Sequence, residues 1–260
     1  MGTVVPPGIV EATARLLLES GEAGPRTISF ARSRAAVGLY LAFDWMMPGQ
    51  FEAFAHRKAF CERQVRKGIE AGARQVLVLG AGYDTLGWRL APEFPDVGFY
   101  EIDHPATMAA KERGVEKMGG RPNLHLVAED ERGSWRLPAV LAESPGWEVE
   151  SGTVIVAEGL LMYLPPEAVA DLLRQAAGNT GPGSRLAFTY LGSRSDGRPN
   201  AGPWTWLLLR ILEAGGEPWR WSIRPGELAS FVAEHGWTID PGQTIGSGRR
   251  GVEFFAVAVG

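Results

Sequence analysis

A single cysteine, Cys61, occurs in 260 residues, which excludes an intramolecular disulfide framework and fits a reducing cytosol. Histidine is scarce too: there are four, and none clusters with cysteine in the spacing of a metal site. No apolar run approaches the roughly 18–20 residues that cross a bilayer, and the stretch 206–212 is short and broken by Arg210. The amino terminus, MGTVVPPG, lacks the basic and apolar regions of a signal peptide, and Pro6 stands where a myristoylation signal wants Ser or Thr. Positive charge is also in deficit: 26 Lys and Arg against 30 Asp and Glu leave a net −4, with no basic stripe to meet a phosphate backbone. The expectation is a cytoplasmic protein with no nucleic-acid, membrane or metal partner. A hydrophobic content of 45% is enough for one domain with an appended cap.

What the chain does have is concentrated in residues 75–90, QVLVLGAGYDTLGWRL. An apolar strand runs into Gly80-Ala81-Gly82, where bare backbone lets a cofactor lie close. A dinucleotide fits this loop poorly. The GxGxxG fingerprint wants a third small residue where Thr85 stands, and Asp84 puts negative charge where a pyrophosphate would lie. A glycine loop followed by an acid suits a ligand that is cationic at its centre and carries an α-amino group, as S-adenosylmethionine does.

Along the chain, strand patterns at 76–79, 97–102, 124–127, 153–157 and 185–190 alternate with helical patterns at 84–90, 105–118 and 165–177. That alternation predicts a mostly parallel sheet with helices on both faces. Two late strands, 237–240 and 252–259, are joined by a Gly/Ser-rich turn too short for a crossover helix, so they pair antiparallel. Five parallel strands closed by an antiparallel pair form an α/β, Rossmann-like class I methyltransferase sheet. Residues 73–191 form the cofactor-binding core and 237–260 the terminal pair. Residues 1–72 read as a helical amino-terminal cap and 192–236 as a cap insertion, both covering the carboxyl edge of the sheet.

Three acids then stand at predicted strand ends. Asp103 lies about 20 residues past the glycine loop, where a carboxylate accepts two hydrogen bonds from a ribose diol. Glu101, on the same strand face, is the alternative. In LVAEDERGSW, Asp130 with the Glu131 backbone is placed to meet an adenine amino group, unless this is an ordinary charged loop. Glu158 closes the fourth strand; buried there, it needs a partner or a cation, such as the cofactor's ammonium.

The strings QVLVLGAGYDTLGWRL, YEIDHP and AEGLLMYLPPE resemble, in order and spacing, the leucine carboxyl methyltransferase family and its bacterial relatives. A weaker echo is GEPWRWSIRPGELASFVAEHGW at 216–237. The resemblance implies S-adenosylmethionine as cofactor, with Gly80, Ala81, Gly82 and Asp84 in its loop and Asp103 on the ribose. It further implies Asp130 with Glu131 on the adenine, and Glu158 after the fourth strand. Arg57 matches an arginine that pairs with the cofactor's carboxylate, a task suited to a planar fork. Arg132 and Tyr163 match residues that hold the acceptor carboxylate. The chain departs from its bacterial relatives at His56-Arg57-Lys58, at Cys61-Glu62 and at Leu86.

The implied reaction is methyl transfer to a carboxylate or hydroxyl of a small acceptor. The alternatives are a non-catalytic S-adenosylmethionine-binding protein, carboxyl methylation of a peptide terminus and, more distantly, an NAD-dependent oxidoreductase. A carboxylate acceptor is already ionised and needs no general base, whereas a phenol with a pKa near ~10 would benefit from one. No His-Asp pair announces itself: His56, His104, His125 and His235 read as structural or surface residues, His104 being the one placed nearest the ribose acid. Tyr190 either lines the acceptor pocket or packs in the core, and the tryptophans between 204 and 221 either stack on an acceptor or pack the cap.

Overall fold

The computed structural model describes residues 5–43, 49–129, 135–242 and 252–260. Its centre is a seven-stranded sheet in the order β3-β2-β1-β4-β5-β7-β6. The parallel strands are β1 (Gln75–Leu79), β2 (Gly98–Asp103), β3 (Leu124–Ala128), β4 (Thr153–Ala157) and β5 (Arg185–Leu191). β1 and β4 are continuous apolar runs because they are covered on both faces. β7 (Glu253–Val259) runs antiparallel to β5 and separates it from the two-residue β6 (Thr238–Ile239). The reversed direction matters: β7 starts at the edge where the parallel strands end, placing Glu253 opposite Leu191.

Helices cover both faces. On one, α4 (Gln50–Glu70), α5 (Leu86–Leu90) and α6 (Pro105–Met118) lie on the sheet, with Phe60, Cys61 and Val65 of α4 packed against Val76, Val78, Val154 and Phe255. On the other, α7 (Leu137–Ala142), α8 (Pro166–Gly178) and α10 (Leu228–Ala233) pack around Trp135 and Trp237. The buried indole N–H of Trp237 donates to the Leu173 carbonyl at 2.9 Å, which is why this residue leaves its predicted strand and joins the core.

Three elements differ from the sequence expectation. α5 begins two residues later than predicted because Asp84 stays outside it and accepts the Thr85 and Leu86 N–H groups at Oδ1. α1 (Ile9–Ser20) lies along α6, with Leu16 against Gly114 and Lys117 Nζ donating to the Glu19 carbonyl at 2.7 Å. It therefore clads a face of the sheet. Within 192–236, α9 (Thr205–Ala214) buries Leu208 near Met162, Leu191 and Val252 at the carboxyl edge, whereas α10 puts Leu228 and Val232 into the core of one face. α2 (Pro25–Ala31) and α3 (Arg34–Phe43) stand off: Val37, Leu39, Tyr40 and Leu41 are more than half exposed.

Candidate functional site

The glycine loop leaves β1 with Gly80 at φ +62° and Gly82 at φ +46°, a left-handed conformation that L side chains rarely adopt. A Cβ on Gly80 would come 2.8 Å from Leu160 Cδ1, so the loop needs glycine for conformation and for space. The Ala81 N–H donates to the Ile102 carbonyl at 3.0 Å, tying the loop to β2. Asp103, at the end of β2, accepts the Gly82 N–H at Oδ2 and the His104 N–H at Oδ1, each at 2.7 Å. A carboxylate has about four lone-pair sites, so two backbone donors leave capacity for a diol.

Glu101 does not share this position. It is fully buried, ion-paired to Lys111 at 2.6 Å, and accepts the Gly87 N–H at 3.1 Å. Burial pushes its carboxyl above the ordinary range, opposed by Lys111. It braces α5 and α6 beneath the loop, and Asp103 is the strand-end acid that remains.

Beside the loop, five charged side chains from four elements form one chain of ion pairs. Lys58 Nζ lies 3.0 Å from Asp84 Oδ2 and 2.9 Å from Glu158 Oε1. The same Glu158 oxygen accepts Arg57 Nε at 2.8 Å, and Arg57 Nη1 donates to both Glu253 oxygens at 2.8 and 2.9 Å. Burial works against the charges of Arg57 and Lys58, but their carboxylate partners prevail and hold both cations above their ordinary values. Burial likewise pushes the Asp84 carboxyl up, yet Lys58, Lys111 and Arg89 bring it down to about 2. Among the described residues the cluster sets three carboxylates against two cations. Glu158 Oε2 is buried without a hydrogen-bond partner. Cys61, one helical turn from Arg57 and Lys58, is fully enclosed, and burial raises its thiol far from reactivity.

Arg57 is thus already committed at Nε and Nη1, and a cofactor carboxylate would meet its Nη2 edge instead of an open fork. Sequence reasoning missed Glu253, whose signal was an acid opening an otherwise apolar strand, and assigned no role to Lys58. Asp130, Glu131 and Arg132 lie outside the described residues. Next to them, the buried Glu129 takes the Arg136 guanidinium at 3.0 and 3.2 Å.

Tyr163 closes a short 3-10 turn (Leu161–Tyr163) and is 38% exposed, with burial raising its phenol. It lines a cleft of about 420 Å³ with Leu160, Leu164, Pro165, Glu217 and Arg220. Leu160 connects this cleft to Gly80. Tyr190 packs in the core, stacked on Phe254 with ring centroids 5.2 Å apart. Trp221 packs on Phe231, while Trp204 and Trp206 are exposed. His104 Nδ1 accepts the Ala106 N–H at the start of α6, His125 stacks on Tyr100, and His235 Nδ1 meets the Phe231 carbonyl. Among the described residues no His, Cys, Asp and Glu group has metal-site geometry, and no helix is long and apolar enough to cross a membrane.

The leucine carboxyl methyltransferase family matches residues 15–177. A Mycobacterium tuberculosis H37Rv protein, provisionally named an S-adenosyl-L-methionine-dependent methyltransferase, is 38% identical over 145 residues, covering 55% of this chain and 39% of that protein. A provisionally named counterpart from Mycolicibacterium paratuberculosis is 31% identical over 206 residues, covering 74% and 63%. The chain therefore spans less than two thirds of the length of these relatives. A crystal structure of a protein from Thermobifida fusca, provisionally described as a methyltransferase, superimposes over 98% of this chain and 95% of its own, with a TM-score of 0.65 and 19% identity. Strand order and this likeness together make the sheet that of a class I methyltransferase.

Proposed function

This chain belongs to the leucine carboxyl methyltransferase family, and on that premise we propose that it is an S-adenosylmethionine-dependent O-methyltransferase of a small carboxylate- or hydroxyl-bearing acceptor. The observation that carries this reading is the ion cluster beside the glycine loop. Among the described residues it holds more carboxylates than cations, and it contains an orphaned buried oxygen at Glu158, an acceptor suited to the cofactor's ammonium. Bound S-adenosylmethionine supplies an activated methyl, which one displacement by an acceptor oxygen transfers, leaving S-adenosylhomocysteine.

The chain's own residues supply position and electrostatics. Gly80, Ala81 and Gly82 give a side-chain-poor cradle, and Asp103 keeps lone pairs for the ribose. Asp130 and Glu131 are the adenine contacts carried by the family resemblance. Glu158 takes the ammonium, Arg57 the carboxylate, and Asp84 holds Lys58 in the cluster. Tyr163 lines the cleft beside Leu160 in which the acceptor would sit, and Arg132 is a second acceptor contact by the family resemblance alone. An acceptor carboxylate needs no proton removed, consistent with His104, His125 and His235 being engaged in capping, stacking and packing contacts.

Calorimetric titration with S-adenosylhomocysteine, run beside NAD, tests the cofactor. Micromolar binding of the first and none of the second is expected, followed by transfer of labelled methyl to small carboxylic acids and phenols. Binding of NAD alone would overturn the assignment.

A further inference from the structure

Glu253 lies some 200 residues from Arg57 in sequence, outside the family match, yet its two oxygens both meet Arg57 Nη1, at 2.8 and 2.9 Å. We propose that Glu253 is a positioning residue for the amino-acid end of the cofactor, acting by fixing the Arg57 guanidinium at Nη1. The inference rests on the S-adenosylmethionine reading above.

Two anchors define the plane of a guanidinium better than one, because a single hydrogen bond leaves rotation about its own axis. Glu158 takes Nε and Glu253 takes Nη1, so the group is held at two of its three nitrogens and directs Nη2 by default. Gly159 completes the clamp: at φ +66°, a Cβ there would lie 3.0 Å from Nη1 and 3.4 Å from Nη2. The guanidinium therefore lies flat against bare backbone between two carboxylates. Phe54 adds a ring 4.8 Å from its central carbon. Burial matters as well, since the Glu253 side chain is only 4% exposed and its charge is screened little by solvent.

The placement comes from topology. Glu253 opens β7, the strand that runs against β5, so its side chain reaches the carboxyl edge although it belongs to the last strand of the chain. A carboxylate in that position could instead serve only to neutralise a buried arginine. The two roles separate by ligand. Neutralisation alone would change stability and treat all adenosine ligands alike, whereas positioning acts only on ligands that carry the α-carboxylate.

The test is Glu253→Gln, titrated with S-adenosylhomocysteine and with 5′-methylthioadenosine, which keeps the adenosine and thioether but lacks the amino-acid end. Affinity for the first falls about tenfold, the scale of one hydrogen bond to a charged group, while affinity for the second stays within about twofold of wild type. Glu253→Asp, which keeps the charge but shortens the reach, gives the same selective loss and serves if the glutamine variant fails to fold. In an Arg57→Met background the Glu253→Gln effect disappears. Equal weakening of both ligands, or undiminished S-adenosylhomocysteine binding, overturns the positioning role. Wild-type protein that binds neither ligand overturns the cofactor assignment itself.

Discussion

The two ends of the proposed cofactor site are built by different physics. At the ribose end, Asp103 is held by two backbone N–H groups from residues adjacent to it in space and near it in sequence. At the amino-acid end, Asp84, Lys58, Glu158, Arg57 and Glu253 hold one another, and every link is a side chain meeting a side chain from another element. The first arrangement survives most substitutions around it because peptide groups do not mutate. The second is only as good as its weakest member, since removing one charge leaves a buried partner uncompensated.

That contrast can be broken by mutation. Arg57→Ala removes the guanidinium that Glu158 and Glu253 share, at side chains 5% and 4% exposed, and should cost about 3 kcal/mol of unfolding free energy, together with most cofactor affinity. Chemical denaturation measures it, and a loss under about 1 kcal/mol would mean that the cluster relaxes easily. The next effect is seen by pH. Asp84 has a folded value of about 2, below its ordinary 3.8, so its contribution is present above about 4 and is lost as pH falls toward 2. The stability gap between wild type and Asp84→Asn, on the order of 2 kcal/mol at neutral pH, should close across that window. A gap that stays constant down to pH 2 would show that Asp84 acts through hydrogen bonds without its charge. The smallest stability change belongs to the ribose end. Asp103→Asn keeps one acceptor oxygen for the backbone and should cost about 1 kcal/mol, while S-adenosylhomocysteine affinity drops about tenfold. If Asp103→Asn destabilised the fold as much as Arg57→Ala, the distinction between the two ends would collapse.

The same contrast explains what was legible. The strands of the sheet could be read because buried parallel strands are unbroken apolar runs bounded by turns, and α6 because Pro105 opens it and glycine follows Met118. The position of Asp103 at the strand end beside the glycine loop was legible because strand, loop and next strand are local in sequence. Glu101 could not be separated from Asp103 by spacing, since residues two apart on a strand share a face. What separated them was the buried Lys111 on α6, which claims Glu101. The start of α5 was misplaced because a side-chain hydrogen bond, invisible to periodicity, keeps Asp84 out of the helix. The first helix was read as a cover for the ligand edge, but the apolar surface of α6 that receives Leu16 is a tertiary fact.

By itself, then, the sequence determined the sheet, the glycine loop, the acid that ends the second strand and the family, all of which depend on patterns within a few tens of residues. Tertiary structure alone decided how the amino-acid end is assembled. Arg57 and Lys58 on α4 meet Asp84 after β1 and Glu158 after β4 because parallel neighbours end at one edge of the sheet, and Glu253 joins them because β7 runs backwards beside β5 and starts at that edge. Charge pairing at such separations leaves no periodic trace: it selects residues by their final positions and not by their spacing along the chain.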